Sequence, residues 1–189
     1  MSDDYLTTLA TFVAETPGEA IPASVRSRTA AIIADCVGCM CAGSRAPEVV
    51  RLREHLAGRV TNPSATVIGT SVQLDADTAA YLGGIAGTWH DLDEGNLHTR
   101  THAAIQIVPA LLAEAERRGS SGRDIIDALV VAYEVAGRLW RATSARLAVH
   151  PHGTYGPLAA SLALSRLRAD DPPAVRHAMN IGMTLGIAA

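Results

Sequence analysis

At 189 residues the chain suits one domain or slightly more, and it is long enough to bury a sizeable core. Hydrophobic residues make up 48% and charged residues 19%, which excludes a disordered chain, and a formal net charge of -3 with no basic stripe or tail gives nucleic acid nothing to bind. Aromatics are only 4%, so the core must come from Ala, Leu, Val and Ile, a composition that favours close-packed helices over a β-sandwich.

The acidic start, Met1 to Asp4, lacks the basic patch and apolar run of a secretory signal. Tyr5, Leu6, Leu9, Phe12 and Val13 then recur at helical spacing until Pro17 and Gly18 stop them. A second helix runs from about Pro22 to about Ala42, with Gly43 and Ser44 able to cap it. It carries Cys36, Cys39 and Cys41 among Ile32, Ile33, Val37 and Met40. An odd number of closely spaced cysteines is no disulfide framework, so a reducing, cytoplasmic setting is expected, with these thiols acting as small buried hydrophobes. Pro47 opens a short third helix ending near Gly58. The β-branched stretch 65–72, with Gly69 near its middle, predicts a short extended or hairpin piece. Asp75 caps a helix over 76–88, and a loop over 90–102 leads into a helix over 103–117 that Gly119 closes. Ser121 and Asp124 have capping-box spacing and open a long helix to about Thr143. A second loop, 149–155, precedes helices over 157–168 and 173–189. The pattern predicts a mostly α, multi-helix domain over 1–189 with one short β-hairpin-like segment. Its apolar stretches, around 30–42 and 128–136, are too short and too interrupted to span a bilayer, so no membrane partner is expected. The last helical pattern is still apolar and uncapped at Ala189, as in the first segment of a larger protein. His55 and His177 are expected on the surface, and Trp89 and Trp140 as core or rim residues, with Trp89 able to wall a pocket beside the first loop.

All 16 basic residues are Arg, so this chain alone supplies no Schiff-base lysine and no lysine general base. Neither a glycine-rich phosphate loop after a strand nor a G-x-S-x-G elbow occurs. The densest chemistry lies in the first loop, where 90–102 holds three carboxylates, three histidines and Arg100. A histidine paired with a carboxylate moves protons near neutral pH, and Arg100 can hold a carboxylate bidentately. His98, His102, Asp91 and Asp93 are also suitable metal-ligand types, but no standard metal spacing is present and no metal is expected. In the second loop, His150, His152 and Tyr155 flank Gly153 and Gly156 beside a helix start whose backbone N–H groups can receive a carboxylate.

The run AAYLGGIAGTWHDLDEG (79–95), followed by His102 and an apolar helix, resembles the helix-then-acidic-loop of the MmgE/PrpD family. SGRDII (121–126), AYEVAGR (132–138) and HPHGTYG (150–156) resemble further stretches of that family, in the same order along essentially the whole chain. The resemblance implies the N-terminal part of a helical domain, with the family's second, α/β domain and its active-site lysines absent from this chain. It implies a cofactor-independent lyase that moves a proton alpha to a carboxylate of a di- or tricarboxylic acid, as in 2-methylcitrate dehydratase. Epimerase and decarboxylase members are alternatives, and so is a non-catalytic fragment needing the rest of the chain. It maps the catalytic groups onto His102 as acid/base, Asp91 as the carboxylate that orients it, and His150 as an assistant from the second loop. Arg100, His152, Asp93 and Tyr155 are the expected substrate contacts, and a homodimer is the expected assembly. Gly95 stands where the family's decarboxylases carry Thr, and Ala103 and Ala104 follow the loop histidine in place of Pro and a small residue. These departures weaken a decarboxylase assignment.

Overall fold

The Asp4 carboxylate accepts the Leu6 N–H and opens α1 (Tyr5–Glu15), whose Ala10 and Val13 face inward. This computed structural model describes residues 4–143 and 151–186, apart from the side chains of Pro151 and His152. A 3-10 turn (Gly18–Ala20) follows, then α2 (Ala23–Gly43) with Pro22 as its N-cap and α3 (Pro47–Ala57) with Pro in its first turn. The hairpin-like segment is a minimal antiparallel pair, β1 (Ala65–Thr66) and β2 (Gln73–Leu74), with Ala65 opposite Leu74 and Gly69 turning at φ +83°. Asp75 caps α4 (Ala76–Thr88) through the Thr78 N–H at 3.0 Å.

The expected helix after the acidic loop is α5 (Ala103–Arg118). It ends in a Schellman-type turn, with Gly119 at φ +67° and the Ser120 N–H on the Ala115 carbonyl at 2.9 Å. α6 (Gly122–Ala142) begins with the capping box Ser121/Asp124. α7 (Pro151–Arg168) and α8 (Pro172–Leu185) complete the described chain, the latter capped by Asp171.

Two boundaries differ from the sequence reading. The second loop does not extend to Tyr155, because α7 already includes residues 151–156. Gly156, placed beside the helix start by the sequence reading, lies within α7 and packs closely: a Cβ there would lie 2.8 Å from Gln106 Oε1 on α5. The last helix stops at Leu185, where Gly186 leaves helical conformation at ψ 107°, and residues 187–189 lie outside the described residues.

The core forms around α5, which packs on α2, α4, α6 and α7. Ile105, Ile107, Val108 and Leu111 of α5 meet Leu129, Val131 and Val135 of α6 and Leu158 and Leu162 of α7, all at most 2% exposed. Each such side chain contributes roughly 1.5–3 kcal/mol by leaving water. Missing side chains let α2, α4 and α5 approach closely. A Cβ on Gly43 of α2 would lie 1.9 Å from the Ala86 carbonyl oxygen of α4, and one on Gly87 of α4 would lie 2.3 Å from Ile105 Cδ1 of α5. The loop joining α4 to α5 therefore hangs from a closely packed corner of the fold. Among the described residues no helix is long and apolar enough to cross a membrane.

Candidate active site

The loop between α4 and α5 is folded on itself. Asp91 turns the chain just past α4, at φ +52°, with its N–H on the Thr88 carbonyl at 3.2 Å. Aspartate tolerates this left-handed conformation better than most residues. Further on, the Asn96 side chain accepts the N–H groups of His98 and Thr99, its own N–H donates to the Thr101 carbonyl at 2.8 Å, and Arg100 closes the turn at φ +55°. Thr99 is buried beneath, its hydroxyl 2.7 Å from that of Thr101.

This folding buries Asp93 and brings it to His102, the N-cap residue of α5. His102 Nδ1 lies 3.1 Å from Asp93 Oδ2 and 3.1 Å from the Asp93 carbonyl oxygen. Both partners are acceptors, so Nδ1 carries the proton and donates, and in the neutral ring the basic lone pair belongs to Nε2. The carboxylate hydrogen-bonded to the ring is Asp93, two residues beyond Asp91, to which the resemblance gives the orienting role. Asp93 is buried while Asp91 and Leu92 are exposed. Asp91 remains close, since side-chain oxygens of Asp91 and Asp93 and a His102 ring nitrogen all lie within 4.8 Å of one another. The hydrogen bond between Asp93 and His102 accounts for two of these three groups, and no cation is assigned to them.

Glu94 is the residue that the sequence reading passed over. Its carboxylate accepts the Tyr133 hydroxyl of α6 at 2.6 Å and the Ala104 N–H of α5 at 3.3–3.4 Å. Burial pushes its carboxyl up to about 7 against the lowering effect of these donors and of His102. Burial also pushes the Tyr133 hydroxyl up, with Glu94 adding to the effect, and raises the Cys36 thiol of α2, which lies close enough to feel Glu94 and Asp93. The local sequence gives no signal for Glu94. Only the position of Tyr133, 39 residues later, does.

Beside His102 a small, mostly apolar cavity is lined by His102, Gln106, Ala136, Trp140, Tyr155 and Gly156, among others. Gln106 lies one helical turn beyond His102 on α5, a spacing that puts both on one face. Gln106 also lines a neighbouring hollow that includes Asp91, Thr88 and Ile105. Trp140 stands edge-on to Tyr155, with ring centroids 4.7 Å apart at 89°, and the Tyr155 hydroxyl lies 2.6 Å from the Thr143 hydroxyl.

The structure therefore brings together His102, Asp93, Asp91 and Tyr155 from the expected set, and adds Glu94, Gln106, Tyr133 and Trp140. Arg100 is exposed and is not among the residues lining the His102 cavity. His98 lies in a separate groove with Arg28, Asn96 and Tyr133. His150 and the side chain of His152 lie outside the described residues. Trp89 is 42% exposed and is not among the residues lining this cavity, which Trp140 walls instead. Cys36 is buried, Cys39 and Cys41 are partly so, and His55 and His177 are exposed, as expected.

Comparison with curated proteins finds no match to this chain. The family model of the MmgE/PrpD N-terminal domain matches residues 7–189. This match covers α2 to α8, α1 from residue 7 onward, and the acidic loop between α4 and α5. The chain belongs to the MmgE/PrpD family and corresponds to its N-terminal domain.

Proposed function

We propose that this chain carries the acid–base half of a cofactor-independent lyase acting on a di- or tricarboxylic acid, of the 2-methylcitrate dehydratase type. The observation that carries the reading is the double acceptor at His102 Nδ1, which assigns the neutral ring's lone pair to Nε2, in a residue that lines a small cavity. A base so oriented can take the proton from a carbon next to a carboxylate. In a dehydration the C–H electrons form the new C=C bond and the β-hydroxyl leaves as water, having received a proton. Tyr155, whose hydroxyl is supported by Thr143 beside the same cavity, is our choice of donor or substrate contact, with Asp91 at the adjoining hollow. His150 assists from the second loop, and Arg100 and His152 meet substrate carboxylates in the complete assembly. A homodimer in the cytoplasm belongs to the same proposal.

Incubating the complete polypeptide in deuterated water with citrate-like, tartrate-like and aspartate-derived acids, and following their C–H signals by proton NMR, tests it. One class should lose a C–H resonance alpha to a carboxylate, and His102→Gln should abolish that loss. Exchange at a normal rate in the His102→Gln protein would remove His102 from the mechanism. Absence of exchange with every acid would favour a non-catalytic helical module.

A further inference from the structure

α5 begins in an unusual way, and the acidic loop compensates for it. An N-cap is normally Ser, Thr, Asp or Asn, whose side chain satisfies one of the first free N–H groups of the helix. Here the N-cap is His102, at φ -108° and ψ 67°, and it makes no side-chain cap hydrogen bond. Its ring is turned instead to Asp93. The second amide of the helix, that of Ala104, is met from ten residues upstream by the Glu94 carboxylate, and the same carboxylate receives the Tyr133 hydroxyl from α6. Glu94 therefore joins three things: the loop residue next to the one that orients His102, the backbone two residues after His102, and a third helix.

We propose that Glu94 is the positioning residue of the site: by capping α5 from the loop and anchoring to Tyr133, it releases His102 from capping and holds its ring against Asp93. Asp93 alone does not supply this, because its two oxygens meet only the side-chain ring at Nδ1, which leaves the loop free to shift relative to the helix backbone. The Glu94–Ala104 and Glu94–Tyr133 bonds remove that freedom, since they tie the loop to the rigid frame of α5 and α6. Groups facing Glu94 are Asp93 on its own loop, His102 on α5, Tyr133 on α6 and Cys36 on α2. The Ala104 amide and the Tyr133 hydroxyl both donate to Glu94.

The test reads the ring itself, in the complete polypeptide with 15N-labelled histidine, comparing the parent with Glu94→Ala, Glu94→Gln and Tyr133→Phe. In the parent the His102 resonances, assigned by their loss in His102→Gln, should report the Nδ1-protonated tautomer. Glu94→Gln keeps an acceptor oxygen for both donors and should retain that tautomer. Glu94→Ala should shift the ring toward the Nε2-protonated form, and Tyr133→Phe should do so partly. If turnover is found as proposed above, Glu94→Ala should lower kcat about 10- to 100-fold with KM within about threefold, the scale expected for a misplaced catalytic group. Unchanged tautomer in folded Glu94→Ala, or equal disturbance in Glu94→Gln, would overturn the inference. It rests on His102 being the working base, yet the NMR readout does not depend on any substrate. Failure of all acids to react would count against the proposed reaction and not against the role of Glu94.

Discussion

The imidazole of His102 is held at one nitrogen by two oxygens of a single residue: Asp93 presents its carbonyl and its carboxylate to Nδ1, each at 3.1 Å. The carboxylate is buried, so its attraction is less screened than that of a surface pair. Replacing it with the isosteric amide tests this directly. In Asp93→Asn, the amide N–H group can face Nδ1 and make it an acceptor, which moves the proton to Nε2. Turnover of the true substrate should fall by about 100-fold or more while KM changes little, by analogy with the effect of a wrong histidine tautomer. Parallel kinetics of the Asp91→Asn protein should show a smaller loss in kcat, because Asp91 is exposed and borders the neighbouring hollow.

Glu94 makes stability depend on pH in an unusual direction. Its carboxyl titrates at about 7 in the fold and at about 4.5 in the unfolded chain, so between these values the folded state binds more protons. Its contribution is present below about pH 4.5 and is lost as pH rises through 7. Glu94→Gln keeps the acceptor without the charge. The melting temperature of the parent relative to Glu94→Gln should therefore rise as pH falls from 8 to 5, and a flat difference across that range would contradict the assignment.

Glu114 does the reverse. Hydrogen bonds from Arg117 and Arg168, with burial opposing them, hold its carboxyl down at about 2. Its stabilisation is present above about pH 4.5 and is lost as pH falls toward 2. The Glu114→Gln protein should lose the steep acid limb of the parent's stability profile in that window, as measured by circular dichroism.

Arg166 ties two distant parts of the chain. Its guanidinium donates to the carbonyls of Val13 and Ala14 at the end of α1 and of Thr16 just beyond it. Truncation to Ala leaves these carbonyls to find water, and hydrogen bonds to a charged group are worth about 1.5–3 kcal/mol. Denaturant unfolding of Arg166→Ala should show a loss of about 2 kcal/mol or more. Its kcat should stay within about twofold of the parent, because α1 does not line the His102 cavity.

A side chain cannot be added at Gly43. The new Cβ would meet the Ala86 carbonyl oxygen, a backbone atom that no rotamer change can move. Gly43→Ala should cost about 3 kcal/mol or more, at the upper end for overpacking, whereas Gly38→Ala, with open space around it, should be neutral or stabilising within the same α2. Thermal unfolding of the two proteins gives the comparison.

Much of the architecture is local and so was legible in the residues. Helix starts at Asp75, Ser121 and Asp171 follow from capping side chains that bond to amides three positions on, and Gly119 ends α5 through its left-handed backbone. The β-branched stretch around Gly69 and the charge-dense loop before α5 also follow from short-range chemistry. The motifs spread along the chain were enough to place it in its family. What the residues did not determine is which members of that loop face each other. Asp91, Asp93 and Glu94 are alike as sequence, and only the burial of the loop against α5 and α6 makes Asp93 the partner of His102 and Glu94 the cap of the helix. Gly156 shows the same limit: the sequence puts it beside a helix start, and only the packing of α7 on α5 shows that a side chain there would crowd Gln106. Capping and turns act within a few residues and are written locally, whereas the site needs contacts 9 and 10 residues apart between the loop and the start of α5 and one 39 residues apart to α6, which exist only once the loop has packed on both helices.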